Sequence, residues 1–128
     1  MSVYTFTVPG EPVPKLRPRT VRKGGLRTFT PAKTLEYEAK VKLCAMAAGC
    51  RRIEGPVYVK AEFYFAVAKS NERKRKPVKG GWYDGVVDGD NVWKALLDGM
   101  QGVCYSDDRQ VVWGVYRTYR LHQGEPGR

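Results

Sequence analysis

The sequence predicts an α+β fold: a small mixed β-sheet covered by two helices, in the order β-α-β-α-β, with basic loops between the elements. Three observations predict it. Segments 2–8, 57–67 and 111–119 are rich in Val, Tyr, Phe and Thr, with side chains alternating as in strands. Residues 31–48 carry apolar side chains at helical spacing, and residues 91–101 are apolar around most of a helical circumference. With 128 residues and a 42% hydrophobic share, the chain is long enough for one core, so residues 1–128 are expected to form a single domain.

The first strand sets Val3, Thr5 and Thr7 against Tyr4, Phe6 and Val8 and stops at Pro9-Gly10. Residues 9–30 form a loop rich in Pro, Gly and basic side chains. In it Gly24-Gly25 can turn a short ribbon whose second arm is Leu26–Phe29. Thr30 then suits an N-cap and Pro31 the first helical position. Leu35, Ala39, Leu43, Met46 and Ala47 follow at helical spacing, and Gly49 ends the helix. After Gly55-Pro56, the strand from Val57 to Val67 places Val57, Val59, Ala61, Phe63, Phe65 and Val67 on one face. Residues 69–81 are a basic loop ending in Gly, expected to be mobile without a partner. The second helix spans about 91–101 and the last strand Val111–Tyr119. The segment 121–128, with His122, is expected to be a flexible tail.

The net charge of +10 favours an anionic partner, nucleic acid before acidic membrane. No apolar run approaches the ~20 residues that span a bilayer. The N-terminus lacks a charged region followed by an apolar one, so the chain is expected in the cytoplasm. Cys44, Cys50 and Cys104 have no CxxC spacing and His122 is the only histidine. That leaves no ligand set for zinc and no Ser-His-Asp or Cys-His catalytic arrangement. Reduced thiols are the expected state of the cysteines.

Every aspartate lies between residues 84 and 108, most densely in Asp88-Gly-Asp90-Asn91-x-x-Lys94, with Asp107-Asp108 following. Turn formation and helix capping account for one such residue. Two carboxylates ~4 Å apart repel by about 1 kcal/mol in water and about 4 kcal/mol at an effective dielectric of 20. A divalent cation between them removes that cost, and carboxylate oxygens are the ligands Mg²⁺ prefers. The capping-and-turn reading stands open beside the metal reading. An EF-hand is excluded: counting from Asp88, the position that needs Gly is Trp93 and the one that needs Glu is Gly99. The helix that follows has one polar stripe, Asn91, Lys94 and Asp98, on an otherwise apolar surface. Lys94, one turn inside, is either half of an ordinary ion pair with Asp98 or an ammonium placed to stabilise charge on a phosphate.

Read together, Asp88-x-Asp90-Asn91-x-x-Lys94-x-x-x-Asp98-x-Met100, Gly102 and Asp107-Asp108-x-Gln110-Val111 resemble the RusA-type Holliday-junction resolvases. The opening Gly10-x-Pro12-x-Pro14-Lys15-x-Arg17-Pro18-Arg19 and the segment Thr28 to Thr34 are similar to that family too. The resemblance covers roughly residues 3–115 and is weakest at 50–80. It implies a small homodimeric endonuclease of bacteria, prophages or phages, acting in DNA recombination and repair. Such an enzyme cuts four-way junctions by paired nicks with Mg²⁺, or Mn²⁺ in its place. It implies Asp88, Asp90 and Asp108 as metal ligands, with Asp107 as the alternative third ligand, and Lys94 as an essential lysine.

The DNA contacts expected from charge are Lys15, Arg17, Arg19, Arg22, Lys23 and Arg27 in the first loop and Lys69, Arg73, Lys74, Arg75, Lys76 and Lys79 in the second. Trp82 and Tyr83 could stack on unpaired bases or pack in the ordinary way. The competing readings are a non-catalytic basic nucleic-acid-binding module and a metal nuclease acting on flaps or hybrids. The first explains the charge and leaves the acidic cluster without a purpose. The second differs only in substrate.

Overall fold

Two strands far apart in sequence lie side by side and in parallel at the centre of the structure. The computed structural model describes residues 2–16, 19–22, 25–29 and 31–128, with 19–22 and 26–29 described by backbone alone. The elements are β1 (Arg19–Arg22), β2 (Leu26–Phe29), α1 (Ala32–Ala47), β3 (Val57–Phe65), β4 (Gly81–Trp82), α2 (Gly89–Met100) and β5 (Val111–Arg120). β3 pairs in parallel with β5 from Val57↔Val111 to Phe65↔Arg120, with an irregularity after Val57, and β4 pairs antiparallel to β5. The main sheet therefore has the order β3-β5-β4, and β1-β2 form a separate antiparallel ribbon. In that ribbon Arg22 lies opposite Leu26, and the expected turn at Gly24 lies outside the described residues.

The α+β class holds, but the helices and main sheet run α-β-β-α-β rather than β-α-β-α-β. Residues 2–8 are not a strand. Their alternation is real: Tyr4, Phe6 and Val8 are half-buried while Val3, Thr5 and Thr7 are exposed. Phe6 and Val8 pack against the core. Alternation reports which side faces the core and does not by itself supply a hydrogen-bonding partner. Arg128 occupies backbone groups of β3, exchanging N–H···O bonds with Tyr64 at 2.7 and 2.9 Å.

α1 begins at Ala32 with Pro31 as N-cap, and no side chain caps it. Thr30 lies outside the described residues. The apolar stripe expected to mark this helix is turned outward: Leu35, Leu43 and Met46 are exposed. Its buried face is Thr34, Tyr37, Val41 and Ala45. The reason is α2, which meets α1 through Gly99; a Cβ there would lie 2.7 Å from the Val41 Cβ. Gly99 lets Val41 sit directly on the α2 backbone, and that contact turns the Thr34, Tyr37, Val41 and Ala45 face of α1 inward. Lys42 completes this packing by donating to the carbonyl oxygens of Asp98, Gly99 and Gln101, which closes the C-terminal end of α2.

β3 ends at Phe65, two residues earlier than expected, and its inner face is the one predicted, with Val57, Phe63 and Phe65 buried. The core joins these to Tyr37, Val41 and Ala45 of α1 and to Val92, Ala95, Leu96, Leu97 and Met100 of α2. Tyr105 is fully buried and donates its hydroxyl proton to the Leu97 carbonyl at 2.6 Å. Cys44, Cys50 and Cys104 are free thiols, and burial pushes that of Cys104 up to about 12, with Cys50 beside it. No helix among the described residues is long and apolar enough to cross a membrane.

The segment from residue 121 onward, expected to fray, is tied down. Leu121 is buried and donates its N–H to Phe65. His122 Nδ1 accepts from Gly80, and Gln123 reaches into the basic loop, so the polar side chains that suggest a solvated tail are spent on loop backbone.

Candidate active site

α2 starts two residues earlier than expected because Asp88 itself caps it, its carboxylate accepting from the Asp90 N–H at 2.9 Å. Asp90 then lies in the first turn, where a negative charge is favoured by the helix dipole. Its other partner comes from β5: Tyr116 donates its hydroxyl proton to Asp90 Oδ1 at 2.6 Å. That hydrogen bond, with burial second, pushes the phenol up to about 12. The Tyr116 ring packs between Trp93 of α2 and Phe63 of β3. It comes so close to the helix start that a Cβ on Gly89 would lie 2.8 Å from it. Any larger residue between the two aspartates would have to displace the tyrosine ring.

The second acidic segment reaches the same helix. Lys94 Nζ bonds Asp108 Oδ2 at 2.7 Å and lies 3.3 Å from Asp98 Oδ1. The Asp108 hydrogen bond holds the ammonium pKa above its ordinary value against the opposing effect of burial. Asp107 is used differently. It caps the 3₁₀ turn Asp108–Gln110 through the Arg109 N–H at 2.9 Å, which keeps its carboxyl below the ordinary range. Gln110 fixes the turn, accepting from the N–H groups of Ser106 and Asp107 and donating to the Ile53 and Gly55 carbonyls. Of the adjacent pair, Asp108 faces α2 and Asp107 faces its own chain.

Among the described residues no three His, Cys, Asp or Glu side chains are grouped closely enough to hold a metal ion. The fit to a divalent cation rests on donor chemistry: carboxylate oxygens of Asp88, Asp90 and Asp108, hard ligands suited to Mg²⁺. Asp88 and Asp90 are exposed at the helix start, and Asp108 is held beside that helix by the Lys94 ammonium.

Lys15, expected to contact DNA, is paired internally with Glu38 at 2.7 Å and Asp98 at 3.1 Å, and its N–H bonds the Asn91 carbonyl. Arg17 and Lys23 lie outside the described residues, and so do the side chains of Arg19, Arg22 and Arg27. Lys69, Arg73, Lys74, Arg75, Lys76 and Lys79 are all exposed. Their loop has a clasp that sequence reasoning missed. Gln123 Oε1 accepts from the N–H groups of Arg73 and Val78, its Nε2 donates to the Arg73 carbonyl, and its N–H donates to Val78. A lone Gln in a polar stretch gives no signal of this role. Tyr116 gave only its place in β5.

A family model described as Endodeoxyribonuclease RusA matches residues 9–127, nearly the whole chain and all of these acidic residues. The chain belongs to the RusA endodeoxyribonuclease family. Among curated proteins this RusA-family chain is 34% identical over 119 residues to a Bacillus subtilis (strain 168) protein named Uncharacterized protein YqaN, covering 88% of this chain and 84% of that one. No solved structure matches.

Proposed function

We propose that this RusA-family chain is a metal-dependent endodeoxyribonuclease that resolves four-way DNA junctions by paired symmetric nicks, acting as a homodimer in DNA recombination and repair. The observation that carries the reading is the Lys94–Asp108 bond, because it brings the second acidic segment to the helix that starts with Asp88 and Asp90. The family's nucleases are generally metal-dependent, and Asp88, Asp90 and Asp108 would hold Mg²⁺ here. When bound, the ion lowers the pKa of a water and neutralises charge on the scissile phosphate.

The chain's own residues supply the rest. Tyr116 holds one oxygen of Asp90, Oδ1, in a fixed direction. Lys94 stabilises negative charge developing on the phosphate, aided by the positive end of α2. The loop from Lys69 to Lys79 binds backbone phosphates, and cleavage leaves a 5′-phosphate and a 3′-hydroxyl that ligase can seal. Paired nicks need two sites related by a two-fold axis, hence a dimer.

A divalent-metal titration with a synthetic four-way junction, a duplex and a flap tests the reading. Mg²⁺-dependent cutting of the junction in preference to the others is expected, with junction affinity falling as log K at about 0.9 per phosphate neutralised as log salt rises. Binding without cleavage in Mg²⁺ or Mn²⁺ would leave a non-catalytic module, and cutting of the flap alone a different nuclease.

A further inference from the structure

The solvent side of the sheet carries a column of flat side chains that crosses all three strands. The Arg128 guanidinium lies 4.4 Å over the Tyr64 ring. Tyr64 stacks on Tyr119 with centroids 5.1 Å apart and planes 17° apart. Tyr119 stacks on Trp82 at 5.0 Å and 19°. Each interior ring has both faces filled by its neighbours. The column is closed at one end by a cation and ends at the other in Trp82, which is 68% exposed.

We propose that the outer face of Trp82 is a stacking site for an unstacked nucleobase of the DNA substrate. The inference rests on the DNA-cleaving reading above and deepens it. Three features support it. First, the indole is already held in place: Trp82 pairs with Tyr119 in the sheet, and the next residue, Tyr83, donates to the Thr118 carbonyl. Its ordering costs little when a ligand arrives. Second, the loop that runs into Trp82 carries Arg73, Lys74, Arg75, Lys76 and Lys79, with Glu72 as the one acid between residues 69 and 82. Gln123 and His122 fasten that loop at residues 73, 78 and 80. A strand whose phosphates lie on the loop brings its bases to the end of the column. Third, charge selects the occupant. The exposed sheet positions next to the column include Lys60 and Arg117 against Glu62. With the loop cations they leave this side of the sheet net positive, which a polyanion complements. A branched junction offers unstacked bases at its crossover, and a continuous duplex does not.

Base–aromatic stacking changes affinity by roughly 5- to 150-fold per base. The test compares wild type, Trp82→Ala and Trp82→Phe in metal-free buffer, where binding is read without cleavage, on a four-way junction, an oligothymidine strand and an intact duplex. Trp82→Ala is expected to weaken junction and single-strand binding about tenfold, with duplex affinity and salt slope unchanged. Trp82→Phe keeps a π face and is expected to stay within about threefold of wild type. Unchanged junction affinity in Trp82→Ala overturns the inference, and so does a Phe variant as weak as the Ala variant. An equal loss on duplex overturns it too, because the residue would then serve loop structure. Lost self-association with DNA affinity intact overturns it by making this face an interface between copies. Wild-type cleavage in Mg²⁺ is scored in parallel. A wild-type chain that cuts junctions while Trp82→Ala binds normally removes only the stacking site, whereas a wild-type chain that binds no DNA removes the nuclease reading with it.

Discussion

Tyr116 and Asp90, 26 residues apart in sequence, are joined by a 2.6 Å hydrogen bond that links the middle strand of the sheet to the first turn of α2. It fixes the direction of one of the proposed metal ligands from outside the acidic segment. It also accounts for the glycine of Asp88-Gly89-Asp90, since any Cβ there would strike the tyrosine ring.

Replacing that tyrosine by phenylalanine should lower Mg²⁺-dependent cleavage while the ring's packing survives. The bond's contribution to stability has a defined pH window. The folded phenol is raised to about 12 from an ordinary value of 10.0. Its share of stability is therefore complete below pH 10 and lost as pH rises through the folded value. Chemical denaturation of wild type and Tyr116→Phe at pH 8 and at alkaline pH should show a stability difference that narrows above pH 10.

The carboxylates themselves are best tested by substitutions that keep shape. Asp90→Asn and Asp108→Asn should each reduce junction cleavage by about 100-fold or more while binding measured without metal stays close to wild type. Asp88 needs two variants, because it is also the cap of α2. Asn caps a helix as well as Asp does, whereas Ala costs about 1 kcal/mol. Asp88→Asn should fold like wild type and fail to cut, and Asp88→Ala should in addition melt at lower temperature.

Gly99 offers a sign test. An exposed helical glycine gains about 1 kcal/mol on replacement by alanine. Here the new Cβ would meet the Val41 Cβ at 2.7 Å and the Glu38 carbonyl at 3.3 Å, atoms that cannot rotate away. Overpacking of that kind costs about 1–3 kcal/mol. Gly99→Ala is expected to be destabilising in urea denaturation, and a more stable variant would show that the helices separate freely.

Gln123→Ala should release the loop it clasps. The expected readouts are faster trypsin cleavage at Arg73 to Lys76 and weaker junction binding with a shallower salt dependence. The cleavage rate at saturating enzyme should change little, because the acidic residues are untouched.

Much of this was legible in the sequence, for reasons that differ by element. β3 and α2 show clear periodicity because much of each is spent on the core: Val57, Phe63 and Phe65, and Val92, Ala95, Leu96, Leu97 and Met100, are buried as predicted. α1 was legible as a helix but not in orientation. Leu35, Leu43 and Met46 point outward because Gly99 seats α2 against the Val41 face, a tertiary fact with no local trace. Residues 2–8 alternate because they line the core without entering the sheet. In the site, the acidic residues stood out by charge density alone. Tyr116 and Gln123 did not, since each acts through a partner that only the fold brings near. Lys15 was grouped with the DNA-facing cations by charge, and its pairing with Glu38 and Asp98 depends on how the opening segment crosses both helices.

The parallel pairing of β3 with β5 has a consequence for how the acidic centre comes into being. Strands that run the same way cannot be joined by a tight turn, so everything between them must be made before they can pair. Asp88, Asp90, Lys94 and Asp108 all ride on that intervening stretch, and Tyr116 sits on the strand that completes it. A polypeptide still emerging from the ribosome can display its cationic opening segment long before it owns an assembled acidic centre. The geometry of that centre is complete only once the final strand docks.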